Sequence, residues 1–181
     1  MISLRSSIVQ KLLTYLFLNQ EEERYIRELA KILDADPKNL YNKLKELEVE
    51  GILKSESRGR ERYYFLNKEY PLLNEYKKVV EKTIGLENIF RITLKKIKGI
   101  KEVYIFGSYA SNKLTAGSDI DLLVIGSNES LELYKELAEI QKRFNREVNV
   151  IEMSIKEFNE KRTKNNPFLK DIFSKPIIKV I

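Results

Sequence analysis

The sequence predicts a two-domain chain, α+β in its first part and α/β in its second, on three observations. Apolar residues recur at helical spacing through the first fifty positions and then give way to two short strand-like runs. From Glu102 the period changes, and apolar strand-like runs alternate with helical stretches, as in an α/β layer. The length, 181 residues with 43% hydrophobic side chains, suits one medium domain or two small ones with ordinary packed cores. The division expected is residues 1–66, a connecting helix over 67–85, and a second domain over 86–181.

Ile8, Leu12, Leu13, Leu16 and Phe17 set a first helix over about Arg5 to Leu18. The acidic run Glu21, Glu22, Glu23 leads into a second, from Tyr25 to about Leu33, with Ile26, Leu29, Ala30 and Leu33 facing inward. After the turn Asp34-Ala35-Asp36, an acid at the N-cap and Pro37 at the first helical position start a third helix. It runs to about Glu50 with Leu40, Leu44 and Leu47 inward, and Gly51 ends it. Ile52 to Ser55 and Arg62 to Leu66 then read as strands joined through Glu56-Ser57-Arg58-Gly59-Arg60-Glu61.

Three helices followed by a hairpin with a basic tip resemble the winged helix-turn-helix regulators over residues 5–66. The likeness is one of pattern more than of any diagnostic residue, although Arg27-Glu28-Leu29-Ala30 is similar to a segment often seen in their second helix. The resemblance implies double-stranded DNA as partner. Lys38, Asn39, Tyr41, Asn42 and Lys43 would then stand at the front of a recognition helix, and Arg58, Arg60 and Arg62 on a wing that touches phosphate or minor groove. The same residues also fit a solvated helix face and a solvated hairpin. Winged-helix proteins often act as dimers, so a homodimer on a palindromic site is a further expectation.

Charge bears on that reading. The net formal charge is +6, yet residues 1–66 carry 12 basic and 11 acidic side chains, a net of +1. DNA contact there would rest on local clusters, because the remaining +5 lies in residues 67–181.

Pro71 opens a connecting helix to about Ile84, Gly85 breaks it, and Leu86 to about Ile97 forms another. Val103 to Phe106 reads as a buried strand ended by Gly107-Ser108, and Ile120 to Ile125 as a second. A helix from Ser130 to Phe144, a strand from Glu147 to Met153, and a short helix from Ser154 to Phe158 follow. Asn166-Pro167 caps a last helix, and Ile177 to Ile181 closes as a strand. No run of about eighteen apolar residues appears, and the interrupted N-terminus with Arg5 and Lys11 lacks a small-residue cleavage site. A cytoplasmic protein with no membrane span is expected.

Neither Cys nor His occurs. That excludes thiolate and imidazole metal sites, cysteine nucleophiles and a Ser-His-Asp triad, and leaves carboxylates suited to a hard cation such as Mg²⁺. Asp119-Ile120-Asp121 supplies such carboxylates: period-two geometry puts both acids on one strand face while Ile120 turns to a core. Two acids so close repel unless a cation lies between them. Upstream, Gly107-Ser108 after a strand lets backbone N–H groups approach a phosphate.

Gly107-Ser108, a gap through Ala116-Gly117-Ser118, then Asp119-Ile120-Asp121 resembles the signature of the polymerase-beta-like nucleotidyltransferases, in their minimal branch, over residues 86–181. The resemblance implies a mixed sheet flanked by helices, Mg²⁺, and a nucleoside triphosphate attacked at its α-phosphate by a hydroxyl. Asp119 and Asp121 would be metal ligands and catalytic residues; Gly107, Ser108, Lys113 and Ser118 would contact the nucleotide. Where the family has a third acid, on a neighbouring strand, Asn149 stands here. It offers a carbonyl oxygen but adds no charge and accepts no proton. Glu152 falls on the opposite strand face, and Glu147 sits at the strand's start. The function expected is a DNA-binding, transcription-regulator-like protein with a nucleotidyltransferase-fold domain that binds Mg-nucleotide. The alternative is an active Mg-dependent enzyme that modifies a protein or RNA hydroxyl, with the winged helix as its docking module.

Overall fold

A computed structural model describes residues 4–115, 117–126 and 130–181; Ala116, part of the gap motif, lies outside the described residues. The chain divides into two compact units, Met1–Glu87 and Asn88–Ile181.

The first unit holds α1 (Ser7–Leu18), β1 (Arg24–Tyr25), α2 (Ile26–Leu33), α3 (Pro37–Val49), β2 (Leu53–Arg58), β3 (Glu61–Leu66) and α4 (Leu73–Thr83). Its core is built from the apolar positions that the helical period selects: Leu12, Leu13 and Leu16 of α1, Leu29 and Leu33 of α2, and Leu40, Leu44 and Leu47 of α3. Asp36 caps α3 by accepting the Asn39 N–H at 2.9 Å. At its other end, Gly51 takes φ +83°, its N–H donates to Glu48, and that of Ile52 donates to Leu47. This pair of reversed bonds satisfies carbonyls that the helix end would leave open. α4 joins this core through Val80, with Leu73 and Tyr76 packed beside it.

Two features depart from expectation. The hairpin strands extend to Arg58 and Glu61, which pair across a two-residue turn, Gly59-Arg60, with Gly59 at φ +61°. A glycine at that turn lets the ladder continue into the charged stretch. The sheet also has a third strand, since β1 pairs antiparallel with β3 and gives the order β1-β3-β2. Two residues carry no readable alternation, so β1 left no trace in the sequence.

The α5 helix (Leu86–Leu94) begins at the boundary between the units. The second unit continues with β4 (Ile100–Phe106), α6 (Gly107–Ala110), β5 (Ile120–Gly126), α7 (Ser130–Phe144), β6 (Val148–Met153), α8 (Ile155–Thr163), α9 (Pro167–Ser174) and β7 (Ile178–Lys179). The strands form one mixed sheet, ordered β6-β5-β4-β7, in which only β5 and β6 run parallel. α7 supplies the crossover that a parallel pair requires. Leu123 and Ile125 of β5, with Tyr104 and Met153, pack against Phe158 of α8 and Leu169 of α9. Ile120, Leu122 and Val124 alternate to the opposite face and are also buried. α8 runs to Thr163, beyond the expected end at Phe158; the Ser154 side chain caps it by accepting the Glu157 N–H at 3.1 Å. Among the described residues no helix is long and apolar enough to cross a membrane.

Candidate active site

Strand register assembles the site. Phe106, the last residue of β4, lies opposite Asp121 of β5, and Asp121 lies opposite Asn149 of β6. Asp119 stands just before β5 and by the two-residue period shares the face of Asp121. The chain turns immediately after Phe106: Gly107 takes φ +72°, and a Cβ there would fall 2.1 Å from the Asp121 Oδ2. The backbone therefore lies against the carboxylate in a cradle that any side chain would fill. Gly107-Ser108 opens the single helical turn of α6, and the Ser108 carbonyl accepts the Lys113 N–H at 2.8 Å.

Asn149 donates from Nδ2 to Asp119 Oδ2 at 3.1 Å and lies opposite Asp121 in the ladder. Burial pushes the Asp121 carboxyl above its ordinary range, the Asn149 amide opposes that shift, and the Asp119 charge adds to it. Among the described residues no group of three or more Asp or Glu side chains is gathered as a metal cage. Two carboxylates are hard donors of the kind Mg²⁺ takes, and the Asn149 amide oxygen could join them only if its amide turned, since its Nδ2 faces Asp119.

A side chain that the sequence did not reveal holds the approach to the aspartates. Arg146 is 6% exposed and donates to the carbonyls of Thr115 at 2.6 Å and Ser118 at 2.9 Å. It fastens the loop that delivers Asp119. An arginine between a helix and a strand reads as surface, and only its burial marks it. Ser118 is part of the same fastening, because its Oγ accepts the Thr115 N–H at 3.0 Å and lies 2.8 Å from the Thr115 hydroxyl. Its hydroxyl is engaged within the loop. Lys113 is exposed near Ser108 in sequence, and its ammonium forms no ion pair among the described residues. Glu152 lies opposite Val124 in the ladder, and neither it nor Glu147 forms a three-carboxylate group with Asp119 and Asp121 among the described residues.

The residues expected at duplex DNA all lie in the first unit. Lys38, Asn39, Tyr41 and Asn42 are exposed along α3, while Lys43 is half-buried and paired with Glu46 at 2.7 Å. Lys45 stacks over Tyr41 at 5.1 Å. In the hairpin, Arg58 is held by Glu23 at 2.6 Å and Glu56 at 2.8 Å, and Arg62 by Glu48 at 2.9 Å. Arg60, at the turn, is exposed and makes no ion pair among the described residues.

The second unit is a mixed sheet with Asp121 opposite Asn149 in register, Asp119 just before the same strand, and a glycine turn beside them. The chain belongs to the nucleotidyltransferase domain family, whose pattern matches residues 86–180. A second family, described only as HVO_A0114, matches residues 11–68. Among solved structures, similarity is found to a toxin-antitoxin with AMP-PNP, at 22% identity and TM-score 0.33, covering 36% of this chain and 56% of that one. It is also found to a double mutant of the toxin-antitoxin MntA-HpeT, at 14% identity and TM-score 0.39, over 53% of this chain and 73% of that one. A second mutant of that pair aligns at 21% identity and TM-score 0.29, over 35% and 52%. The chain thus spans little more than half the length of the first of these. No curated protein matches.

Proposed function

We propose that the second unit binds a Mg-nucleoside triphosphate at Asp119, Asp121, Gly107 and Ser108, and that the first is a winged helix that contacts double-stranded DNA. The protein is then a DNA-binding, regulator-like chain whose nucleotidyltransferase-fold domain reports on a nucleotide. The observation that carries this reading is the convergence of Gly107, Asp119, Asp121 and Asn149 at adjoining strand positions.

Each residue has a definite task. The Gly107 turn seats the Asp121 carboxylate, and the Ser108 N–H and hydroxyl are donors to phosphate oxygens. Lys113 adds a screened positive charge from an exposed position. The two carboxylates would hold Mg²⁺, which when bound supplies neutralisation of phosphate charge. Asn149 cannot take a proton from an attacking hydroxyl, so the chain binds and orients the nucleotide without a base at that position.

Calorimetry of the full chain with Mg²⁺ and ATP tests the reading. Binding that Asp119→Asn with Asp121→Asn abolishes is expected; equal affinity in that variant would overturn it. For the first unit, selection from random duplexes at two salt concentrations is expected to return a preferred sequence.

A second reading is favoured by the filled wing. Arg58 and Arg62 are already satisfied by carboxylates, as suits a protein-docking surface better than a phosphate contact. In that case a protein or RNA hydroxyl attacks the nucleoside triphosphate's α-phosphate, the α–β phosphoanhydride bond breaks, pyrophosphate leaves, and the hydroxyl proton goes to solvent. Transfer of labelled nucleotide onto a partner, lost with both aspartates, together with no duplex retained at low salt, would support it over the first.

A further inference from the structure

Asn149 lies across the ladder from Asp121 and donates from Nδ2 to Asp119 at 3.1 Å. An ionised carboxylate only accepts hydrogen bonds, so the group facing Asp119 is the amide nitrogen. The arrangement places the positive end of an amide dipole beside two like charges that would otherwise repel. A hard cation requires the opposite orientation, with the amide oxygen inward. The two orientations differ by a half-turn about the terminal side-chain torsion, which is broad and two-fold for Asn.

We infer that Asn149 is a two-position clamp: from its place opposite Asp121, its amide nitrogen holds Asp119 when no cation is held, and its amide oxygen turns to the cation when one binds. The second position rests on the metal reading above; the first does not. The clamp assembles the pair before any ligand arrives, and it explains what an amide does where an acid would make a third negative charge. With Asp at 149, three carboxylates would converge and the site would depend on a cation. Asn149 is a positioning residue, since it acts through the aspartates.

The test uses the full chain, with Mn²⁺ and Mg²⁺ as probes, and three readouts. In EDTA, Asn149→Ala is expected to melt below the natural protein and Asn149→Asp lower again, by a few degrees. Mn²⁺ is expected to restore Asn149→Asp more than the natural chain and to bind it at least tenfold more tightly, because affinity follows ligand charge. In nitrogen-15 spectra, the side-chain amide pair of Asn149, identified by its loss in Asn149→Ala, is expected away from exposed-amide positions in EDTA. It should move on addition of Mg²⁺ while other side-chain amides stay. An exposed-amide signal in EDTA with unchanged melting of Asn149→Ala would overturn the clamp. A signal unmoved by saturating Mg²⁺, or Mn²⁺ affinities within twofold for Asn149→Asp and the natural chain, would overturn the turnover. Failure of both to bind Mn²⁺ removes the metal reading and the second position, and the EDTA readouts then judge the first position separately.

Discussion

Asp121 Oδ2 lies so near Gly107 that a Cβ on residue 107 would stand 2.1 Å from it. The glycine and the acid are therefore matched: one keeps the space that the other's carboxylate occupies. Gly107→Ala would have to hold an unfavourable positive φ and displace that carboxylate. The expected cost is about 1–3 kcal/mol of stability, measured by urea unfolding. Mg-ATP affinity should fall at least tenfold in the same variant, measured by calorimetry.

Arg146 fixes the loop before Asp119 from a buried position. Arg146→Lys keeps the charge but replaces the planar Nη1, whose two hydrogens serve both carbonyls, with a tetrahedral ammonium on a shorter stem. Loss of about 1.5–3 kcal/mol is expected, as for a hydrogen bond to a charged group. Nucleotide affinity should decline with it, and unchanged affinity would detach this loop from binding.

Tyr15 gives the first unit a pH response. Burial raises its phenol to about 12, with the neighbouring Glu22 adding to the shift and Arg24 opposing it. The unfolded chain titrates near 10, so the fold favours the neutral form. That contribution is complete below about pH 10 and is lost as pH rises through 12; it is on the order of 2–3 kcal/mol. Unfolding curves between pH 9 and 12 should fall more steeply for the natural chain than for Tyr15→Phe.

The hairpin arginines should differ if the first unit binds DNA. Arg60 is unpaired among the described residues, so Arg60→Ala should lower the slope of log affinity against log salt by about 0.9. Arg58→Ala should change it less, because Glu23 and Glu56 already neutralise that guanidinium. Replacing both acids with Gln should then strengthen duplex binding, read by fluorescence anisotropy.

Much of the fold was legible because its signals are local. The Asp36-Pro37 start and Gly51 stop of α3 depend on residues within one helical turn, and they appear as read. The apolar positions of α1 to α3 likewise fill the core that their spacing implies. The strand β1 was not legible, since two residues pair with β3 only after the hairpin has formed. The hairpin's length escaped for a related reason: its charged residues look like a loop until Gly59 closes a two-residue turn.

At the candidate site, local sequence already indicates that Asp119 and Asp121 share a face, that a glycine follows β4, and that an amide stands at 149. Those conclusions follow from the period of a strand and the chemistry of single residues. Long-range contacts alone set that Asn149 bonds Asp119, that Arg146 is a buried fastener, and that two of three hairpin arginines are already occupied. The Asn149 bond to Asp119 spans 30 residues, and the bonds of Arg146 span 31 and 28. Register and burial set such contacts, and no local pattern encodes which distant partner a side chain meets.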